Sequence, residues 1–482
     1  PDEPVHAQGR TTALRLGPTR RGQGGGATER VLRLAQGAVG AHDEDDAMPL
    51  GGGTGHRPGG EQRLIVGMGV HRDESPAVGG HGPILPHGTL GGVRVLMVSD
   101  CYAPRVGGIE TQVGDLTAQV RARGVDVEVL TMTPGPPLPH VHRLGRPIMR
   151  DVLWDPRTRA DLRRLIRPSG NTVVHAHLGV LSPFAADAVR IAVAAGVPVV
   201  ATWHSRLRPV VRPWAASGVL RRWAAAGVAL TAVSTVAARE VSAAAGGARV
   251  SVLPNGIDVG TFHPPPVGVA GGAPSAVALD RSSRAAADQP THEAPLRVVT
   301  TMRLAPIKRP LATLAIVARA RALAAGSRDI RLQIIGDGRL RPRVEREVER
   351  RGLSGAVTLS GRVAREQVAA DVAASDVFLS AARLEAFGIA ALEARALGVP
   401  IVTPPESGVC DIIIDGVDGV VAPDDEAMAR TLADLATGPD RLAALAAGAR
   451  ATPPRQTWAR VTDLVLQHYS TALTGGRDTM PA

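Results

Sequence analysis

The chain has little cysteine, few aromatic residues and no long apolar run. Its two cysteines, Cys101 and Cys410, lie far apart, which argues against a disulfide framework or a cysteine-based metal site and favours a reducing compartment. No apolar run approaches the ~18 to 20 residues of a membrane-spanning helix, and the N-terminus lacks the apolar segment of a secretory signal. We therefore predict a cytoplasmic protein that does not cross a membrane by itself.

Lysine and asparagine are also scarce. Lysine occurs once, at Lys308, and asparagine twice, at Asn171 and Asn255, in a chain rich in alanine, arginine, glycine and proline. This residue usage is typical of a high-GC coding bias, under which lysines that are needed only for their charge are replaced by arginine. A lysine that is retained then marks a position where a compact charge is needed, although chance would also explain a single residue. The net charge of +10 is scattered, without basic blocks and interleaved aromatics. This distribution argues against nucleic-acid binding and favours phosphorylated ligands or anionic lipid.

Residues 1–92 differ in composition from the rest of the chain. They contain no phenylalanine, tryptophan or tyrosine, are rich in glycine, and show no sustained apolar periodicity. Such a segment buries too little apolar surface to offset the entropy of folding, so we predict a disordered N-terminal extension. The extension contains Asp43-Glu44-Asp45, a pattern that can hold a metal ion, but no strand precedes it. We therefore interpret the pattern as part of a solvated segment.

An α/β alternation begins at Val93. A buried strand, a glycine loop, a helix with apolar residues at helical spacing and a second strand form a βαβ unit, which implies a parallel sheet. We predict one doubly wound domain at 93–264, on the acceptor side, and a flexible linker rich in proline, alanine, glycine and serine at 265–294. A second Rossmann-like series follows at 295–455, and a helix at 456–475 is expected to pack back toward the first domain. Two such domains predict a cleft between them that holds the ligand.

The most informative stretch runs from Ala382 to Ala394 and is predicted to begin a helix near Gly388. The unpaired first amides of that helix, at Gly388, Ile389 and Ala390, would form a seat for a diphosphate. Glu385 and Glu393 would lie ~12 Å apart along a helix, farther than the paired carboxylates of a glycosidase at roughly 5 to 9.5 Å. We therefore expect the two carboxylates to contact different parts of one long ligand, a sugar and a ribose.

Other residues are consistent with a diphosphate ligand. Arg303 and Lys308 flank the loop after the first strand of the second domain, where cations could clamp a diphosphate. Gly336-Asp337-Gly338 indicates either an ordinary turn or a backbone surface beside a nucleotide, and Gly107-Gly108 either a turn or a close approach to phosphate. The chain has no GxGxxG in that turn and no GxxxxGK[ST], which argues against a dinucleotide dehydrogenase and a P-loop enzyme.

In their order along the chain, these motifs resemble the retaining glycosyltransferases of family four, which have the GT-B fold. The resemblance covers about 93–475 and rests on Ser99–Glu110, His175-Ala-His177, Pro254–Asp258, Arg303–Lys308, Ile335–Gly338 and the E-x7-E of Glu385 and Glu393. The opening block also resembles the branch that transfers N-acetylglucosamine or mannose to phosphatidylinositol-type lipids. The chain departs from the family at Cys410-Asp411, where Pro-Glu is usual, and at Met302, where glycine is usual.

The resemblance implies the roles of the site residues. Arg303 and Lys308 would bind the donor diphosphate, Glu393 the ribose and Glu385 the transferred sugar, and His204 would lie near that sugar. The complete set of implied donor-binding residues is Gly107, Gly108, Arg303, Lys308, Gly336, Gly338, Glu385, Phe387, Gly388, Ile389, Ala390 and Glu393. His204, Glu385, Arg303 and Lys308 are the predicted catalytic residues. The side chains of His175 and His177 are expected to face opposite sides of their strand, so that they would not form a metal pair.

These observations predict a retaining glycosyltransferase that takes a hexosyl or N-acetylhexosaminyl group from a nucleotide-diphosphosugar, without a metal or other cofactor. The acceptor would be a lipid or small glycoconjugate. Two alternatives remain open: a sugar-nucleotide epimerase of similar fold and a nucleotide-sugar-binding protein without turnover. The donor base, the sugar and the acceptor do not follow from these residues.

A basic segment at 206–223 raises the question of membrane contact. It contains five arginines together with Trp214 and Trp223. A solvated loop and helix is one interpretation. The other is peripheral contact with an anionic membrane at the inner face of the cell membrane, where arginine and tryptophan are both favoured.

Overall fold

The computed structural model describes residues 92–105, 107–145, 156–260, 262 and 294–475. The predicted extension at 1–92, including Asp43–Asp45, lies outside the described residues except for its last residue. The predicted linker at 265–294 likewise lies outside them except for Ala294. The domain boundaries therefore stay predictions.

The first sheet has seven parallel strands. They are β1 (Arg94–Ser99), β2 (Asp126–Thr131), β3 (Val141–Arg143), β4 (Thr172–Leu178), β5 (Val199–Trp203), β6 (Ala229–Ala232) and β7 (Ser251–Val252), in the spatial order β3-β2-β1-β4-β5-β6-β7. Strands β4 and β5 are buried along their whole length, as central strands covered on both faces must be. The sequence analysis missed β3, because this half-buried edge strand of three residues contains no apolar run.

In the part of this domain that the structure describes, six helices alternate with the strands of the first sheet. They are α1 (Gly108–Ala122), α2 (Pro156–Leu165), α3 (Pro183–Ala194), α4 (Val211–Ser217), α5 (Val219–Ala225) and α6 (Thr235–Ala244). Helix α1 buries Val113, Leu116 and Val120, whose spacing forms one apolar stripe. Helix α6 begins after Ser234, whose hydroxyl accepts a hydrogen bond from the amide of Ala237 at 3.3 Å.

The second sheet has six parallel strands. They are β8 (Leu296–Thr301), β9 (Ile330–Ile335), β10 (Val357–Gly361), β11 (Val377–Leu379), β12 (Ile401–Thr403) and β13 (Gly419–Val421), in the order β10-β9-β8-β11-β12-β13. Its helices are α7 (Pro310–Leu323), α8 (Arg341–Arg350), α9 (Arg365–Ala373), α10 (Ile389–Ala396), α11 (Asp425–Thr437) and α12 (Pro439–Ala451). The sequence analysis identified all of these strands except β13.

The last helix, α13 (Trp458–Leu473), packs on the first sheet, as predicted. Trp458, Val461, Val465 and Tyr469 are buried in one cluster with residues of β1 and β4. The chain passes to α13 through Gln456, whose carbonyl accepts a hydrogen bond from the amide of Ile257 at 2.9 Å. The C-terminal helix is therefore part of the first domain's core.

Each sheet reverses its winding direction beside its first strand, between β1 and β4 and between β8 and β11. In open α/β sheets, ligands bind beyond the carboxyl ends of the strands at this switch point. The loops after β1, β8 and β11 therefore lie where a ligand is expected. The predicted architecture of two Rossmann-like, doubly wound domains facing a cleft is confirmed.

Candidate active site

A cavity of about 450 Å³ lies between the two sheets and is lined by both of them. The structure brings most of the predicted site residues together in its lining: Gly107, Gly108, His204, Arg303, Lys308, Glu385, Phe387, Gly388, Ile389 and Ala390. Loops from both domains line this cavity, because the switch points of both sheets open onto it.

Two cations lie on the second domain's side of the cavity. Lys308 ends a short 3₁₀ turn, Pro306–Lys308, and its Nζ forms an ion pair with the carboxylate of Glu385. Arg303 is exposed, and its guanidinium makes no hydrogen bond or ion pair within the described part of the chain. The guanidinium of Arg303 is thus available to an anionic ligand, whereas a ligand phosphate would compete with Glu385 for Lys308.

The start of helix α10 forms the adjoining wall. Gly388 precedes the helix with φ at 95°, and a Cβ at this position would lie 2.5 Å from Cγ2 of Val409. Only glycine satisfies both constraints, since other residues rarely adopt this backbone conformation. The first helical amides lack intrahelical acceptors and carry the positive end of the helix dipole, so this wall attracts an anion.

Glu393 lies one turn deeper on α10, on the same helix face as Ile389, and does not line the cavity. Burial raises the pKa of its carboxyl to about 7, although the charge of Arg365 acts in the opposite direction. The Arg365 guanidinium is 3.6 Å from a carboxylate oxygen of Glu393. The predicted contact of Glu393 with the ribose stays a prediction.

Gly336 and Gly338 also lie outside the cavity lining and pack against the loop that carries Arg303. Their predicted place beside a nucleotide stays a prediction. A Cβ on Gly338 would come within 2.5 Å of the Leu304 carbonyl oxygen, and the amide of Leu304 donates to the carbonyl of Asp337 at 3.0 Å. The two glycines hold this loop close to the end of β9.

The histidines of β4 form a buried cluster with His204. Residues two apart on a strand share a face, and the ring centroids of His175 and His177 are 4.2 Å apart. The expectation that the two side chains face opposite sides is therefore wrong. Nδ1 of His177 lies 3.0 Å from Nε2 of His204, which lines the cavity. Burial lowers the pKa of His175 to about 3 and that of His204 to about 4, so both rings are neutral at pH 7.

Several residues of the site were not assigned by the sequence analysis. Asn255 lines the cavity together with His204, and its side chain acts to raise the pKa of that ring against the effect of burial. Its rarity and its place in the Pro254–Asp258 motif were the available signals. Glu110 is buried at the rim and pairs with Arg105 at 2.9 Å. Asp100 follows β1 and accepts hydrogen bonds from the first amides of α3, and burial raises the pKa of its carboxyl to about 6.

Two polar contacts join the domains beside the cavity. Arg206 is buried, donates from Nε to the carboxylate of Glu240 at 2.9 Å, and donates to the backbone carbonyl of Glu406 in the second domain. Asp411 accepts a hydrogen bond at 2.5 Å from the amide of Thr235, at the start of α6. Asp411, at the position where glutamate is usual in the family that the sequence resembles, therefore links the two domains by a hydrogen bond.

The basic segment does not have the exposed tryptophans that membrane contact was expected to use. Trp214 is 6% and Trp223 4% exposed, and both belong to the first domain's core. Arg206 is likewise buried. The four other arginines of the segment are exposed: Arg208, Arg212, Arg221 and Arg222.

Within the described ranges, no group of three or more histidine, cysteine, aspartate or glutamate residues is placed to hold a metal ion. Across the same residues, no helix has both the length and the apolar character needed to span a bilayer.

Two family models match the chain on either side of the cleft. Residues 106–261 match the model described as Glycosyltransferase Family 4, and residues 287–452 match Glycosyl transferases group 1. The chain belongs to glycosyltransferase family four. As both models describe glycosyl transferases, the epimerase alternative receives no support.

Individual proteins resemble this family-four glycosyltransferase to different extents. A D-inositol 3-phosphate glycosyltransferase from Xylanimonas cellulosilytica is 30% identical over 46% of this chain and 52% of its own length. A GDP-mannose-dependent alpha-(1-6)-phosphatidylinositol monomannoside mannosyltransferase from Mycobacterium tuberculosis is 27% identical over 74% of this chain and 92% of its own. The chain spans about half the length of the first two D-inositol 3-phosphate glycosyltransferases that it matches.

The solved structures agree in fold. The structure of Anabaena HepE in complex with UDP-glucose superposes with a TM-score of 0.57 at 18% identity, covering 78% of this chain and 99% of that one. The fold of this family-four glycosyltransferase is accordingly GT-B.

Proposed function

We propose that the protein transfers a hexosyl or N-acetylhexosaminyl group from a nucleotide-diphosphosugar to an acceptor, with retention of the anomeric configuration. The convergence of Arg303, Lys308 and the amino end of α10 on one cavity carries this proposal. Three positive groups from one loop and a helix suit a diphosphate better than any uncharged ligand. Retention is supported by membership of the family rather than by a measured geometry.

The chemistry would depend on stabilising the leaving group. As the bond from the sugar to the diphosphate breaks, negative charge develops on the phosphate, where Arg303, Lys308 and the α10 amides are already oriented. Glu385, on entry of the donor, would exchange Lys308 for the sugar's hydroxyl groups. The acceptor hydroxyl would attack from the same face of the sugar, and its proton would pass to the departing phosphate. Neutral His204 would contact the sugar without acting as a strong base.

The donor is best identified by binding. A ligand that binds only the folded state raises the melting temperature, so we expect one class among UDP-, GDP- and ADP-sugars to stabilise the protein. The same class should support transfer to a polyol phosphate or a phosphatidylinositol lipid, the acceptor chemistries named for the relatives. Donor hydrolysis or epimerisation without an acceptor would contradict transfer, and binding without any product would favour the non-catalytic alternative.

We also propose that no divalent metal takes part. The support is that cationic side chains and helix amides occupy the place where a metal would otherwise bind the diphosphate. Activity should survive exhaustive EDTA treatment, and an α-donor should give an α-product by anomeric proton coupling. Loss of activity with rescue by manganese would refute metal independence, and a β-product would refute retention.

Peripheral membrane contact is the remaining part of the proposal, and the exposed arginines Arg208, Arg212, Arg221 and Arg222 support it. Near an anionic surface each is worth about 1 kcal/mol. We expect flotation with vesicles that contain phosphatidylserine and none with phosphatidylcholine alone. Equal recovery on both, or none on either, would contradict the electrostatic mechanism.

A further inference from the structure

A continuous line of side-chain contacts runs from the core of the first sheet to the cavity. Sδ of Met97, on β1, lies 3.4 Å from Nε2 of His177, and Nδ1 of His177 lies 3.0 Å from Nε2 of His204. Met97 and His177 are buried, so no solvent competes for these bonds.

The sulfur of Met97 determines the direction of the protons along this line. A thioether carries no hydrogen and can only accept, so the proton of the His177 ring must be on Nε2. A neutral imidazole has one N–H, and burial keeps His177 neutral by lowering its pKa well below the usual value. Nδ1 of His177 is therefore an acceptor, and His204 must donate to it from Nε2. Because burial also keeps His204 neutral, its other nitrogen, Nδ1, carries no proton.

We propose that His177 is a positioning residue which, anchored on the sulfur of Met97, holds His204 at the cavity as the Nε2–H tautomer in a single ring orientation. The proposal rests on the proposed transfer reaction, in which His204 contacts the sugar. With Nε2 engaged by His177, His204 presents a fixed ring orientation to the sugar. Restricting the ring in advance lowers the cost of ordering it in the transition state.

A neighbouring line of hydrogen bonds provides an internal control. His175 contacts the hydroxyl of Tyr469 and that of Thr202, both at 2.8 Å, and Thr202 continues to Thr231 at 2.6 Å. Thr231 donates to the carbonyl of Ala201 at 3.2 Å, so this line ends on the backbone. It is as buried as the first line but makes no hydrogen bond to His204. The hydroxyl of Tyr469 also lies 3.8 Å from Sδ of Met97, so the control is taken at the other end of this line. Thr231→Val removes buried hydrogen bonds at a residue that hydrogen-bonds neither Met97 nor His204.

The test combines kinetics with nitrogen NMR of the full chain labelled at its histidine rings. Three variants alter the line: Met97→Leu removes the acceptor sulfur, His177→Leu removes both bonds, and His177→Asn keeps an acceptor near the position of Nδ1. In the wild type we expect His204, assigned from the signals lost in His204→Gln, to show a protonated Nε2 and an unprotonated Nδ1.

For transfer, we expect His177→Leu to lower kcat about tenfold with little change in the donor KM, since it removes a buried hydrogen bond. His177→Asn should recover most of this loss. Met97→Leu should lower kcat by a smaller factor, roughly threefold, and give His177 a mixture of tautomers. Thr231→Val should leave kcat and the His204 signals unchanged.

The outcomes separate the two proposals. A wild-type His204 with its proton on Nδ1, or a folded His177→Leu variant with normal kcat, would overturn the positioning role and leave the transfer reaction intact. Absence of transfer from every donor would overturn the proposed function, while the tautomer in the wild type and Met97→Leu would still decide the hydrogen-bond assignment. If His177→Leu does not fold, His177→Asn and Met97→Leu decide the kinetics.

Discussion

At the scale of single residues, the chain's one lysine is its most informative position. Lys308 forms an ion pair with Glu385 inside the cavity that both domains line. The carboxylate holds the ammonium in place before a ligand arrives, and a diphosphate would replace one anionic partner by another. An arginine would bring a larger, planar group into the same space, so the two cations are not equivalent here.

We expect Lys308→Ala and Arg303→Ala each to lower kcat/KM by roughly 30-fold or more, because a charge-assisted bond to a diphosphate contributes about 2 kcal/mol. Lys308→Arg should restore only part of the activity. Steady-state kinetics with the donor found by thermal shift would measure this. Arg319→Ala is the matched control, because Arg319 pairs with Glu426 on the surface and does not line the cavity. Near-normal kinetics in both alanine variants would remove Arg303 and Lys308 from the donor site.

At the scale of elements, the last helix completes the core of the domain at the other end of the chain. Helix α13 places Tyr469 against β4, where its hydroxyl hydrogen-bonds the buried ring of His175. Because Thr231 donates to a backbone carbonyl, Thr202 donates to Thr231 and accepts from Nε2 of His175. The neutral ring of His175 therefore has no proton on Nδ1, and Nδ1 accepts the hydrogen bond from Tyr469. Helix α13 is thus joined to the first sheet by a directional bond as well as by apolar packing.

We expect Tyr469→Phe to lower the free energy of unfolding by about 1 to 3 kcal/mol, because it leaves a buried acceptor on His175 without its donor. Denaturant unfolding followed by circular dichroism would measure the change. The chain's other tyrosine provides the control, since the hydroxyl of Tyr102 makes no hydrogen bond to another described residue. Equal effects of Tyr469→Phe and Tyr102→Phe would contradict the assigned bond.

At the scale of the whole molecule, buried ionisable groups make stability depend on pH. Burial lowers the pKa of His175, His177 and His204 below the ordinary 6.5, so each contributes stability that is present above pH 6.5 and lost as the pH falls below it. Asp100 and Glu393 act in the opposite sense, because burial raises their pKa to about 6 and about 7. The folded state keeps their protons where the unfolded state would release them.

Between pH 6 and pH 5 three histidines take up protons on unfolding and two carboxyl groups release most of theirs, so the unfolded state binds more protons. We expect the free energy of unfolding to fall by roughly 2 kcal/mol per pH unit in this range. Denaturant titrations at pH 7, 6 and 5 would measure it. Glu393→Gln removes one opposing group and should steepen the loss, whereas a stability that rises on acidification would contradict the burial of neutral histidines.

The sequence by itself determined the alternation of strands and helices, because long buried strands and amphipathic helices carry their periodicity locally. Strands β3 and β13 were not predicted, because an edge strand of three residues is too short to show a clear apolar pattern in the sequence. The helix start at Gly388 and the cationic loop of Arg303 and Lys308 could also be predicted. A glycine before a predicted helix and a single lysine can each be recognised within one short segment of sequence.

Only the tertiary structure decided which residues meet. Lys308 and Glu385 are 77 positions apart, and His177 and Met97 are 80 apart, so their pairing depends on which strands lie side by side in the sheet. The same reason explains why Trp214 and Trp223 are not exposed for membrane contact: they fill the core of the first domain. The sequence alone does not distinguish a tryptophan at a membrane surface from one in a core. The packing of helices α4 and α5 on the first sheet places both tryptophans in the core.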